Sequence, residues 1–457
     1  MKKSTLSFIC FLIGCTSLQA ADFKTKGDNT TYTFQKLSEL PESGVTREGD
    51  RYVVNGSCTI SVGDLFTIDN AAVIAFADNA ELIIEGAADL RATTPTTLTR
   101  YGESSSCYGI DVKDDEHVTE VSNLTFEYVG LRGSGKEGMN VNDCHFLYHN
   151  GSSSGALYLG CDGAPFRVTN CTFEQCQRAA IGGAANYYCP ITVEDCLLRK
   201  NSQDNRNIPQ LNLTAGSEIV IRNCIVEGDP TLTMVGGIGV SNFLGATGIK
   251  VTVENCDIHD NRYGITTVGG MDVRIIDNSL VNNQYEVNPN NGGSGISLYD
   301  PTGTQTAYIS GNHIEKSLWG ITVIGCGEVN LGKTEVSPDA PDYNPGNNVF
   351  VDNGNSGVLY DLYNNSTRTI YAQGNIWNAA VQDAEHIEEV IFHKNDNSLL
   401  GEVIFMPAGD PTSIGTITRQ VPSTGIVHRL DGTIVRANGS TPLPHGLYII
   451  DGKKVVK

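Results

Sequence analysis

Long apolar runs, helix-forming stretches and recognisable catalytic motifs are all scarce in this sequence, and each shortage excludes something. Past the N-terminal leader, no segment approaches the ~20 consecutive apolar residues that a membrane-spanning helix needs. Proline is thin, at 16 of 457 residues against 50 glycines, while Val, Ile, Thr and Asn are plentiful. That balance favours strands and turns over helices. No phosphate-binding loop, serine-nucleophile motif, zinc-ligand spacing or dinucleotide fingerprint is present, so the chemistries with the clearest signatures are missing. Positive charge is also in deficit: 31 Lys and Arg stand against 52 Asp and Glu, a net charge of −21. The acidic residues form no dense run, so the charge is spread over a folded surface. Such a surface repels nucleic acid and anionic membranes, which makes both poor partners. Dispersed carboxylates leave Ca²⁺ as the one cofactor to consider; no other cofactor or metal is implied.

The N-terminus reads as a secretory signal over residues 1–20. Lys2 and Lys3 supply the charged start, Leu6 to Ile13 an apolar core, and Leu18-Gln19-Ala20 a cleavage site before Ala21. A rival reading treats Leu12-Ile13-Gly14-Cys15 as a lipobox that places a lipid on Cys15. Cleavage after Ala20 is favoured, because that junction is well formed. Thirteen cysteines less Cys10 and Cys15 leave eleven in the mature chain. An exported chain normally pairs its cysteines, but five of these share one repeat position.

That repeat is the most informative feature present. Ten times between residues 123 and 377 a four-residue phrase recurs: Asn, Asp or Gly; then usually Cys or Asn; then any residue; then a large apolar residue. Examples are Asn170-Cys171-Thr172-Phe173, Asp277-Asn278-Ser279-Leu280 and Gly374-Asn375-Ile376-Trp377. Successive starts lie 20 to 36 residues apart. A variable period with a fixed inward pattern is the mark of a solenoid. The alternation puts the second and fourth residues inside and the third outside. A second class of short strand ends just before the phrase, as in Val251-Thr252-Val253-Glu254. A third begins with Gly and an apolar residue: Gly237-Ile238, Gly264-Ile265, Gly295-Ile296, Gly320-Ile321 and Gly357-Val358. Three short strands per turn make one rung of a parallel β-helix. The second phrase position becomes an internal column, Cys144, Cys171, Cys196, Cys224 and Cys256, then Asn278, Asn312, Asn348 and Asn375. Stacked Asn amides satisfy one another, and the thiols are expected to stay unbridged, because parallel Cβ vectors at rung spacing do not suit a disulfide. A further column six residues after each start (Asn201, Asp229, Asn261, Asn283, Ser317, Asn353) suits left-handed turns.

The expected organisation is a signal at 1–20, a capping segment at 21–50, the β-helix over 51–407 with a loop insertion at residues 337–347, and a small antiparallel sandwich at 412–457. Asp361-Leu362-Tyr363-Asn364-Asn365, Ala372-Gln373-Gly374-Asn375-Ile376-Trp377 and Ser398-Leu399-Leu400-Gly401-Glu402-Val403 resemble the closing rungs of bacterial right-handed parallel β-helix repeat proteins of the NosD-like kind. The resemblance implies an all-β solenoid and is nearly silent on activity. The ending, from Gly446 to Lys457, resembles the C-terminal sorting domain of the type IX (Por) secretion system of Bacteroidetes. That likeness implies an outer-surface or extracellular address, with the secretion machinery as a partner.

Polygalacturonase-like helices carry Asn-Thr-Asp, Asp-Asp, Gly-His-Gly and Arg-Ile-Lys motifs; Asp114-Asp115 and Arg274-Ile275-Ile276 are the nearest approach here, and the rest are missing. Two candidate sites remain. One is an outward ladder, Glu174, Arg199, Glu227 and His259. Its carboxylates, two rungs apart, suit an inverting glycosidase, with Arg199 for a carboxylated sugar and His259 as a proton shuttle. The same ladder is also what a charge-balanced surface prefers. The other is the aromatic pair Tyr263 and Trp319, on equivalent turns with Ser294 between them, whose exposed rings would stack on sugar faces. The expectation is an exported β-helix that binds carbohydrate. The alternatives are a polysaccharide lyase or glycoside hydrolase acting on the outer face, or a structural or adhesive protein with no small ligand.

Overall fold

The computed structural model describes residues 22–69, 72–103, 107–151, 155–160, 163–183, 188–214 and 216–413. It also describes the strands Ile426–Arg429, Ile434–Arg436, Leu447–Ile450 and Lys453–Val456. The leader, with Cys15 and the Ala20 junction, lies outside these residues, as does most of 412–457.

The chain winds into a right-handed parallel β-helix of three sheets. The first sheet has fourteen strands, one per rung, from Phe23–Lys24 to Ile391–Phe392. The second holds the strands that precede each phrase, and the third holds the phrases themselves. Two long strands, Ala87–Arg100 and Thr119–Glu127, run across both of these and join them. Register is kept from rung to rung: Val251 pairs with Val273, and Ile258 with Leu280.

The first phrase residue turns out to be a corner. Asn123, Asp143, Asn170, Asp195, Asn223, Asn255, Asp277 and Asn347 all have φ between 51° and 58°, and Gly311 and Gly374 lie near 70°. Only Gly, Asn and Asp enter this left-handed region readily, which explains the restriction at that position. The chain turns there from the second sheet to the third. A second left-handed corner falls five residues after the start, as at Lys200 (53°), Asp260 (60°) and Asn282 (59°). The column expected to form that turn, six residues after the start, is therefore one residue past it and points inward. Asn201, Asn261, Asn283 and Asn353 are fully or almost fully buried. Asn261 Nδ2 donates to Asn283 Oδ1 at 3.2 Å, so these amides form a second internal ladder.

The principal ladder is as expected. Asn278 Nδ2 donates to Asn312 Oδ1 at 3.0 Å, Asn312 Nδ2 to Asn348 Oδ1 at 2.9 Å, and Asn348 Nδ2 to Asn375 Oδ1 at 2.9 Å. Each acceptor also takes the preceding backbone N–H, so the column leaves no amide oxygen idle. In the earlier rungs Cys171, Cys196, Cys224 and Cys256 are buried thiols that donate to backbone carbonyls. Beside this column the fourth phrase residues stack along the axis. Phe126 and Phe146 lie 4.7 Å apart and within 4° of parallel, and Phe146 and Phe173 repeat that spacing.

The glycines that open the first-sheet strands are dictated by backbone approach. A Cβ on Gly264 would stand 2.4 Å from Gly295 O, and one on Gly320 would stand 2.3 Å from Asp361 O. The next member of this column is Asp361, not Gly357: Ile321 pairs with Leu362, and the strand runs Leu362–Asn365. The strand expected at Gly357-Val358 is a turn.

The capping segment does two jobs. Phe23–Lys24 and Thr31–Tyr32 already pair in parallel with the next rung, so coil strands begin before residue 51. The short helix Phe34–Ser38, capped by the Thr33 side chain, plugs the open end with Phe34 and Leu37, both fully buried. The loop at 337–347 leaves and returns through a bridge between Lys333 and Asn344. The four C-terminal strands form one antiparallel sheet. Among the described residues there is no second sheet to complete a sandwich.

Candidate functional site: an aromatic groove on the first sheet

A groove of about 650 Å³ runs along the outer face of the first sheet. Its floor is one register column. Asn212 pairs with Gly239, Gly239 with Thr266, Thr266 with Ser297, Ser297 with Thr322, and Thr322 with Tyr363. Six rungs at ~4.8 Å give it a length of about 24 Å. Hydroxyl and amide side chains dominate this floor, because they point away from an apolar interior on a sheet only one layer thick.

The walls come from the variable links between rungs. Residues 228–237 and 282–293 are long connections from the third sheet to the first, whereas residues 260–264 are short. The near wall therefore dips at Arg262 and Tyr263. On the far side Phe243, 65% exposed, stands on a loop that Asn242 pins through hydrogen bonds to Ala246 and Gly270.

Trp319 and Tyr363 close one end. Their ring centroids are 5.1 Å apart, and Trp319 also lies flat against Tyr360 at 5.6 Å. The indole Nε1 donates to Pro289 O at 2.9 Å, which fixes the plane of the ring. Trp319 thus lines the groove with a defined orientation. Tyr263 differs from expectation. It occupies the equivalent turn and touches the groove, and like Trp319 it is half-buried rather than an exposed ring. A Cβ on Gly236 would fall 2.0 Å from its ring, so the tyrosine fills the space that this glycine leaves. Burial pushes its hydroxyl up to about 12. Tyr363, Tyr360 and Phe243 were not singled out from sequence. The sequence signal for Tyr363 was its register with Thr322, visible only once Asp361 replaces the expected glycine.

The charged ladder lies elsewhere, on the outer face of the third sheet. Glu174, Arg199, Glu227 and His259 occupy one register column. Arg199 Nε donates to Glu227 Oε2 at 2.8 Å, and its Nη1 lies 3.8 Å from Glu174 Oε1. His259 Nδ1 faces Asp260 Oδ2 at 2.9 Å. The structure therefore aligns the four in one column on a different sheet from the groove, with Arg199 ion-paired to Glu227 and close to Glu174, and with His259 held by Asp260. Among the described residues, the groove lining contains no Asp, Glu, Lys or His; Arg262 is its only charged side chain.

Two acidic clusters bear on metal binding. Near the N-terminal rungs, Asp64, Asp114 and Asp115 border a pocket of about 340 Å³. Asp64 accepts from Gly27 N, Thr30 N and Thr25 Oγ1, and Asp114 from Glu116 N and His117 N. The Asp64 and Asp114 carboxylates anchor turns, and Asp115 pairs with Lys136. Near the last rung, Glu388, His393 and Asp396 come together. His393 Nδ1 accepts the Val403 N–H at 2.9 Å, so the ring proton sits on Nε2 and points to Glu388 Oε1. A cation at Nε2 would need that proton moved to Nδ1, where the Val403 N–H already stands. The trio suits a hydrogen-bonded clasp better than a cation site.

Residues 102–285 match the family model described as the right handed beta helix region. A comparison with curated protein sequences finds no match. Among solved structures, the periplasmic alginate epimerase AlgG is similar at 11% identity and a TM-score of 0.44, with 82% of this chain and 83% of that one covered. The A-module of the Azotobacter vinelandii mannuronan C-5 epimerase AlgE4 is similar at 15% identity and a TM-score of 0.30, covering 66% and 84%.

Proposed function

We propose that the protein binds carbohydrate in the first-sheet groove. The observation that carries this reading is the pairing of the Trp319 and Tyr363 rings with a floor of neutral hydroxyl and amide groups. Sugars present apolar C–H faces to rings and hydroxyls to such a floor. Six rungs in register suit an extended chain rather than a single small molecule. The reading is a binding one because glycoside hydrolysis needs two carboxyl groups flanking the bond, and none lines the described groove. Isothermal titration of the full chain against a panel of neutral and acidic polysaccharides tests it. Trp319→Ala should weaken any binding roughly tenfold or more, in line with the loss of a stacked aromatic anchor. If no polysaccharide in the panel binds, the reading fails.

The address is read from the sequence. Lys2, Lys3 and the apolar stretch that follows support export, with cleavage after Ala20 preferred to a lipid on Cys15. Residues 412–457 serve as a sorting module for a type IX-like secretion system. N-terminal sequencing of the exported protein tests the first point, since a mature chain beginning at Ala21 is expected. Deletion of 412–457 tests the second: secretion at the wild-type level would end the sorting role.

A further inference from the structure

Arg262 is the one feature of the groove that neutral sugar binding does not use. It is 6% exposed and lines the dip in the near wall, where the link between sheets is short. Most buried arginines are matched by a carboxylate, and this chain has an excess of them, yet Arg262 forms no ion pair among the described residues. Its Nη1 donates to Asn207 Oδ1 at 2.7 Å and to Met234 O at 3.4 Å. The guanidinium carbon stands 5.8 Å from the Tyr263 ring centroid. The Nε–H is buried with no acceptor at all. Its flank packs on Gly292, where a Cβ would come within 2.7 Å of Nε. The side chain is thus held by neutral partners, with its charge and one N–H unmatched beside the groove.

We infer that Arg262 is an anion-recognition point and that the groove takes an acidic glycan, one carrying carboxylate or sulfate groups. This rests on the carbohydrate reading and narrows it. The planar fork of a guanidinium matches either anion through paired N–H donors. A fixed cation in a half-enclosed wall keeps more of its Coulombic attraction than one in open water. The net charge of −21 repels a polyanion at long range. Selectivity for one must therefore come from a short-range contact of this kind.

The test uses the full chain and three ligands: a polyuronate, the same polymer with its carboxyls reduced to hydroxymethyl groups, and a sulfated galactan. The expected result is that a charged polymer binds roughly tenfold or more tightly than the reduced one, a difference within reach of one charge-assisted pair. Arg262→Gln should erase that preference, and Arg262→Lys should restore part of it; the lysine variant also serves if the glutamine variant melts early. Trp319→Ala should weaken all three ligands together. Preference for the sulfated polymer alone would keep the inference and name the sulfate ester as the anion. Equal binding of the polyuronate, its reduced form and the galactan would overturn the inference and leave the carbohydrate reading standing. Binding of none would end both.

Discussion

Asp361 Oδ1 accepts a hydrogen bond from Asn353 Nδ2 at 3.2 Å inside the coil, at the place in the first sheet where the preceding rung has Gly320. The other carboxylate oxygen accepts the Asn378 N–H at 2.7 Å. This one residue ends the glycine column and caps the buried amide ladder.

Its burial gives stability a pH dependence. Desolvation pushes the Asp361 carboxyl up to about 7, although both hydrogen bonds favour the charged form. Unfolded, the group titrates near ~3.9. Between those values the folded chain keeps a proton that the unfolded chain has lost, so stability falls as pH rises through the window. The slope contributed is up to about 1.4 kcal/mol per pH unit. Urea melts of wild type and Asp361→Asn from pH 4 to 8 should differ in slope below pH 7 and run parallel above it. Identical slopes throughout would refute the assignment.

The amide ladder carries a separate prediction. Asn312→Ala removes the acceptor of both Asn278 N and Asn278 Nδ2. Each buried donor left unmatched costs about 1–3 kcal/mol. Chemical denaturation should show a loss near the sum of two such terms. A loss below ~1 kcal/mol would mean that water or a shifted neighbour replaces the amide.

Gly264→Ala tests the close approach of rungs. The added methyl would meet Gly295 O and Leu280 Cδ2. Backbone cannot yield as a flexible side chain does, so a cost of about 1–3 kcal/mol is expected, with glycan binding weakened through the shifted Thr266.

The charged stripe should behave as surface. The Arg199 and Glu227 side chains are 37% and 26% exposed, and such pairs contribute roughly 0.2–1 kcal/mol, less in salt. Glu227→Gln is expected to keep glycan affinity within twofold. Assays of new reducing ends and unsaturated uronate settle its other reading: product from wild type that Glu227→Gln abolishes would make this ladder an active site.

The buried thiols should be inert. Desolvation pushes Cys58, Cys176 and Cys326 up to about 12. Alkylation of the native protein at pH 8, read by peptide mass spectrometry, should leave these three unmodified until denaturant is added.

The coil was legible in the sequence because its determinants are local. The left-handed corner that opens each phrase holds only Gly, Asn or Asp, and alternation in the next three residues decides which side chains enter the axis. Those two rules, repeated ten times, specify rungs, sheets and the Asn column without reference to any distant residue. The site was legible only in part. Trp319 stood out as a ring beside a strand-opening glycine, but Tyr263 sits at the same position and is spent on filling the space above Gly236. Tyr363 and Arg262 showed no pattern, since a register column reads vertically across links of different length. The sequence by itself determined the coil and its principal Asn ladder, whereas the second ladder, read from sequence as a turn column, proved internal only in the structure. Only the tertiary structure decided where the groove lies, because a wall exists only where long and short links stand side by side. It also decided that the Glu174–Arg199–Glu227 ladder is neutralised while Arg262 is not, because pairing depends on which side chains stacking brings within reach.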